Sequence, residues 1–190
     1  MSRAYRIAVT ESENRVIRAE DHVSTDLEII EVLPPEQMAG LLGDELEKNR
    51  GFRRDGDELV KEEDGVVISV NAKTGEVTVS AAASESTKVE GELHGRAYDD
   101  VGPHAGQVRE NLKGELAKNL EKKVSDKQGA LQTKVTDKLE GKLGDVKSDL
   151  DQAVNKVTAE ALKRKAAQMG QIKQITEDAE SGSMTIVVEV

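Results

Sequence analysis

Apolar and polar residues alternate from the start of the chain: Tyr5, Ile7 and Val9 share one side and Arg6 the other, the two-residue period of a half-buried strand. Extended runs are also expected at residues 14–20 and 26–33, the second rich in Ile29, Ile30 and Val32. Pro34-Pro35 then ends the strand and opens a helix, because proline fits a first helical turn whose N–H has no partner to lose. Met38, Leu41, Leu42 and Leu46 stand at i, i+3, i+4 and i+8, one buried stripe. Gly51 is the expected C-terminal cap of this helix, with Phe52 folding back.

The strongest local signal follows. Residues 59–63, 66–70 and 76–80 are strand-like, separated by Asp64-Gly65, whose two positions tolerate positive φ, and by the five-residue loop Asn71–Gly75. This predicts a three-stranded antiparallel meander. With the early strands it gives an α+β unit, a small antiparallel sheet with one packed helix covering an apolar face. Residues 81–87, Ala-Ala-Ala-Ser-Glu-Ser-Thr, read either as a strand extension or as a linker.

The pattern then changes period. From about His104 to Ile175 there is no proline, and Val124, Val135, Val146 and Val157 stand eleven apart, as do Leu139, Leu150, Ala161 and Ile172. A third line begins with Leu120 and Leu131 and decays into Lys142, Ala153 and Arg164. Eleven residues make about 3.67 per turn, so the stripe runs nearly straight. The unbroken phase favours one continuous helix of roughly 70 residues, on the order of 105 Å long. A helical hairpin is the alternative, with its break near Asp126–Gly129 or Gly141–Gly144. Either way the Val/Leu seam must be buried against another segment, another copy, a partner or a membrane surface. The closing residues 184–190, Met-Thr-Ile-Val-Val-Glu-Val, form a strand too apolar to stay unpaired. A straight helix would hold it about 100 Å from the first sheet, so it is expected to pair elsewhere, for which a partner's sheet is open, either in an antiparallel homodimer or in a different protein.

Charge and aromatic content place a boundary in this pattern. Of the 190 residues, 37 are acidic and 27 basic, a net charge of −10. Residues 1–100 carry net −11 and residues 101–190 net +1, and the three aromatics, Tyr5, Phe52 and Tyr98, all precede residue 100. The expected organisation is a head at 1–100, a long amphipathic helical segment at 101–176, and a turn and strand at 177–190. No run approaches the roughly 18 apolar residues of a membrane span, and residues 1–11 are too polar for a signal peptide core, so a cytoplasmic protein is expected.

Candidate chemistry is sparse. There is no cysteine, which removes disulfides, thiolate metal sites and cysteine nucleophiles. His22, His94 and His104 stand in unrelated segments without metal-ligand spacing and read as surface residues. No phosphate-binding glycine loop and no nucleophile elbow is present. Residues 91–100, Gly-Glu-Leu-His-Gly-Arg-Ala-Tyr-Asp-Asp, are the densest polar cluster. They could bind a cation or a basic peptide, but the plainer reading has Asp99 or Asp100 capping the long helix and Tyr98 packing at the junction. Lys163-Arg164-Lys165 is better read as a solvated helix face than as a nucleic-acid site, since the acidic first half repels phosphate. No catalytic, cofactor-binding or metal-ligating residue is assigned, no cofactor is expected, and no enzyme activity is expected.

Several stretches carry a family resemblance: Arg18–Thr25, Val32–Met38, Gly95–Asp100, Ala159–Ala167 and Gly182–Val190. The chain resembles an accessory domain of bacterial FtsH ternary systems, multi-gene systems of FtsH-type AAA+ ATPases with MoxR-type and vWA-domain proteins. The resemblance implies a non-enzymatic adaptor or substrate-recruiting subunit and transfers no site residue. More locally, the eleven-residue repeat is similar to late-embryogenesis-abundant and apolipoprotein-type helices. It departs from the former in using Val and Leu where they favour Ala, and from strong lipid binders in having no aromatic on the helix. The expected function is an interaction subunit that oligomerises through the long helix, with a second copy and an AAA+ ATPase or vWA protein as partners. A membrane-surface or stress-protective helix protein is the alternative.

Overall fold

The alternation that starts at Tyr5 runs on well past residue 10. In the computed structural model of the chain, which describes residues 4–98, 104–178 and 183–189, one strand, β1, spans Ala4–Asp26. Of its odd positions Ile7, Val9, Ile17 and Ala19 are buried, whereas Val23 near its end is 40% exposed. The polar stretch Glu11–Arg15 is exposed apart from the half-buried Glu11 but stays in the strand. The third expected early strand does not form. Residues 27–33 are irregular, with Ile29 N–H donating to the Leu27 carbonyl at 3.0 Å and Val32 N–H to that of Ile30 at 2.9 Å. These tight three-residue turns break the alternation, leaving Ile30 exposed and Leu33 buried ahead of Pro34.

Helix α1 (Pro35–Asn49) buries Met38, Leu41, Leu42 and Leu46, the stripe read from the sequence. Gly51 follows at φ 75°, and Phe52 N–H returns to the Leu46 carbonyl at 3.1 Å. The meander is built as expected from β3 (Glu58–Glu63), β4 (Val66–Asn71) and β5 (Glu76–Tyr98), preceded by a short strand β2 (Arg53–Asp55). Asp64 and Gly65 take φ of 52° and 69°, the paired left-handed geometry of a two-residue hairpin turn. Register sets Ile68 opposite Lys61 on β3 and opposite Val79 on β5, so one sheet face carries Leu59, Val66, Ile68, Val70, Val77, Val79 and Ala81. Residues 81–87 extend β5, and the antiparallel sheet has the order β1-β5-β4-β3-β2.

A single helix, α2 (Ala105–Met169), carries the eleven-residue pattern, so the hairpin alternative does not occur. Val135, Leu139, Leu150, Ala153, Val157 and Ala161 along it are buried. The helix ends six residues before the expected limit. Gly170 closes its last turn, donating to the Ala166 carbonyl at 3.3 Å, at a position where a side chain would collide with the Glu189 carbonyl oxygen, and β6 (Gln171–Asp178) takes over with the β-branched Ile172, Ile175 and Thr176. Ile172, in phase with the helical seam, therefore sits in a strand. The closing strand, β7 (Ser183–Glu189), pairs antiparallel with β6, Ile175 opposite Ile186. Its partner is thus the neighbouring strand of its own chain, which corrects the expectation of pairing in the sheet of a second copy or of a different protein.

The chain divides into two compact units, Met1–Asp21 with Ala82–Asp137 and His22–Ala81 with Lys138–Val190. In the first, Val108, Leu116 and Leu120 of α2 pack with Ile7, Val9, Val89 and Ala97. The close approach needs glycine: a Cβ on Gly91 would lie 2.5 Å from Leu116 Cδ1, and one on Gly95 would lie 2.9 Å from Leu112 Cδ1 and Val108 Cγ1. Polar ties flank this core. Thr136 Oγ1 donates to Asp21 Oδ2 at 2.7 Å, and Lys127 Nζ donates to the buried Thr87 hydroxyl. In the second unit the largest fully buried side chains are Leu42, Leu46, Leu59, Leu139, Val66, Val70 and Val77.

Candidate interaction site

The three histidines are all exposed, and among the described residues no group of three or more His, Asp or Glu is placed to hold a metal ion. The polar cluster at residues 91–98 is part of β5, and its alternation explains its composition. Leu93 and Ala97 face the core of the first unit with the two close-packed glycines. Glu92, His94 and Arg96 point outward, His94 Nε2 lying 3.6 Å from Glu92 Oε1. Asp99 and Asp100, the proposed caps of the long helix, lie outside the described residues. Two members of the Lys163-Arg164-Lys165 run are paired with carboxylates, Lys163 with Glu177 at 2.7 Å and Arg164 with Glu160 at 3.1 Å.

A concave feature that no sequence motif marked lies in the second unit. Phe52, Val66 and Ile68 from the sheet side and Val146 and Leu150 from α2 surround an open cavity of about 240 Å³. It sits where the third line of the repeat, Leu120 and Leu131, reaches Lys142. An apolar residue at 142 would fill the seam. Lys142 instead carries its charge away to Asp64 Oδ2 at 2.7 Å and Glu63 Oε1 at 3.7 Å. Its bond to Asp64 raises its pKa above the ordinary lysine value and lowers that of Asp64.

Lys61, Glu63 and Asp149 around the cavity are paired too, and Asp145 completes the charged lining. Lys61 Nζ lies 2.9 Å from Glu63 Oε2, lowering the Glu63 pKa, and 5.8 Å from the centre of the Phe52 ring, within cation–π range. Asp149 accepts from Arg50 Nη1, and Arg50 Nε also lies 3.4 Å from Glu45 Oε1. That carboxylate is itself 3.4 Å from Lys156 Nζ and accepts from Asn49 Nδ2 at 2.5 Å. Burial alone would raise the Glu45 pKa, but the Asn49 bond and the Lys156 and Arg50 cations outweigh it and leave the pKa lowered. The cluster ties the last turn of α1 to α2. No hydroxyl, imidazole or thiol lines the cavity, so what these groups offer is apolar contact inside a ring of mostly paired charge.

Two further surfaces belong to the same unit. A groove of about 530 Å³ runs between the first turn of α1 and the turns before β3 and after β4, lined by Leu59, Arg54 and Lys73 among others. Around β6 and β7, the large apolar residues Leu162, Met169, Ile175 and Val187 are 40–62% exposed.

By fold this is an α+β domain, a five-stranded antiparallel sheet with a packed helix, a long helix and a C-terminal strand pair. None of its described helices is long and apolar enough to cross a membrane. The family model described as FtsH ternary system domain X5 matches residues 1–190, and the chain belongs to that family, an accessory domain of FtsH ternary systems. No curated protein and no solved structure matches it.

Proposed function

We propose that the chain is a non-catalytic interaction subunit of an FtsH-type AAA+ system, recruiting or scaffolding for the ATPase or for a vWA protein of the same system in the cytoplasm. The observation that carries this reading is the match of the whole chain to a domain family of FtsH ternary systems. The cavity supports it, since its lining offers apolar contact and paired charges. Nucleic acid is not a proposed partner of a chain with net charge −10.

The reading is tested by mixing the purified chain with the FtsH-type ATPase, the MoxR-type ATPase and the vWA protein of its own gene cluster in sedimentation velocity. A co-sedimenting complex with at least one of them at micromolar concentration is expected. No complex with any of them at tens of micromolar would overturn it.

Self-association is a second element of the proposal, by a route other than the helical seam. Leu116, Leu120, Leu139, Leu150 and Val157 are at most 5% exposed within the single chain, so the seam has little left to zip to a second copy. The same burial weighs against a helix that lies on a membrane surface. The exposed apolar residues of β6, β7 and the end of α2 are the surface that favours a second copy. A concentration-dependent dimer abolished by Val187→Lys is the expected result.

A further inference from the structure

We infer that the cavity between Phe52 and Val146 is an anchor pocket that receives one uncharged, leucine- or phenylalanine-sized side chain from a segment of a partner polypeptide. The inference rests on the interaction-subunit reading above and gives that reading a place and a chemistry.

A filler is missing from a regular pattern on α2. Leu120 and Leu131 fix the residue type of their line, and both are buried, at 5% and 7% exposure. Eleven residues on stands Lys142, with Gly141 and Gly144 beside it, and a Cβ on either glycine would meet nothing within 4 Å. The helix carries least bulk where the cavity lies. Val146 is half-buried, as Val124 is, whereas the two valines on either side of it in this line, Val135 and Val157, are buried to 3% exposure. A large side chain arriving from outside would complete the seam as an apolar residue at 142 would have done.

At about 240 Å³ the cavity exceeds the roughly 150 Å³ that holds a benzene ring and falls short of the ~300–1,000 Å³ of most small-molecule sites. One large side chain and its adjoining backbone suit this volume.

Lys142, Glu63, Lys61 and Asp149 each have an opposite charge within the unit, and Asp145 adds a further carboxylate to the lining, so an anionic ligand would have to displace one of these pairs. An uncharged side chain displaces none, and the paired ring around it resembles the polar rim of a protein contact with an apolar centre.

The test is methyl NMR of the full chain, titrated separately with the N-acetyl amides of phenylalanine, leucine, alanine and lysine, and with benzene. The phenylalanine and leucine amides are expected to shift the Val66, Ile68, Val146 and Leu150 methyls, leave those of Ile7 and Val89 in place, and bind at least tenfold more tightly than the alanine and lysine amides. Val146→Phe, which fills the cavity from α2, abolishes the shifts. Lys142→Leu, which restores the seam residue, does the same if the first variant fails to fold. Unmoved pocket methyls overturn the inference, as does binding of the lysine amide equal to that of phenylalanine. Binding of benzene alone overturns it in favour of a small-molecule site. These titrations need no partner, so the pocket can fail or stand independently of the ATPase complex. In that complex Val146→Phe is expected to weaken binding by about 10- to 100-fold, the contribution of one large buried apolar side chain. Unchanged complex affinity in a folded Val146→Phe protein also overturns it.

Discussion

Glycine does two opposite jobs in this chain, and the space around each one distinguishes them. Gly91 and Gly95 let α2 approach β5 closer than any side chain would permit, since the Leu116 methyl occupies the place where a Cβ at 91 would go. Leu116 is 1% exposed and has no free space to retreat into. Gly91→Ala is therefore expected to lower stability by about 1–3 kcal/mol through overpacking, read from the urea midpoint, with part of the loss recovered when Leu116→Val is added. Gly114 and Gly129 are the reverse. Both stand inside α2 with nothing within 4 Å of a built Cβ, so they give up helix propensity without a packing return. Gly114→Ala and Gly129→Ala should each raise stability by about 0.5–1 kcal/mol in thermal melts followed by circular dichroism. A loss of stability at either would mean that the position makes a contact in a larger assembly.

At the level of elements, legibility followed the range of the interactions. The Asp64-Gly65 hairpin, the α1 stripe and the unbroken α2 are set by neighbours a few residues apart, and each was readable as a pattern. The length of β1 was not, because Glu11–Arg15 looks like a loop until β5, which supplies its hydrogen-bonding partner, is known. Arg15 also finds Glu121 at 3.2 Å, a partner more than a hundred residues away. β6 was misread for the opposite reason: Ile172 keeps phase with Leu139, Leu150 and Ala161, and only Gly170 and the β-branched run argued for a strand. The candidate cavity left a single trace in the sequence, the lysine in a line of leucines. The Arg50 cluster left none, since Glu45, Asp149 and Lys156 are ordinary surface residues until two helices bring them together. Removing its centre with Arg50→Ala takes away charge-assisted bonds to Glu45 and Asp149 from a side chain only 11% exposed. A cost of about 2 kcal/mol in chemical denaturation is expected, whereas Lys48→Ala, which breaks the exposed pair with Asp44, should change stability by less than about 0.5 kcal/mol.

The whole molecule should be sensitive to acid. Glu45, Asp57, Glu63, Asp64 and Glu90 all have lowered pKa values in the folded chain, for Asp57 and Glu90 through bonds from Lys73 and Lys88. A carboxyl with a lower pKa when folded than when unfolded stabilises the fold fully above its ordinary value, 4.5 for Glu and 3.8 for Asp, and loses that contribution as pH falls through the folded value. Urea midpoints are therefore expected to hold level from pH 7 to about 5 and to decline below about 4.5; a level profile down to pH 3 would show that these pairs contribute nothing. The interleaving of the two units has another consequence, which concerns synthesis. The unit that holds the meander takes residues 22–81 and then none until 138. At about 5–20 residues per second, its strands leave the ribosome several seconds before the helical stretch that carries Val146 and Leu150. During that interval the Val66–Ile68 side of the sheet is open to a chaperone or to a neighbouring nascent chain, and only late translation can close it.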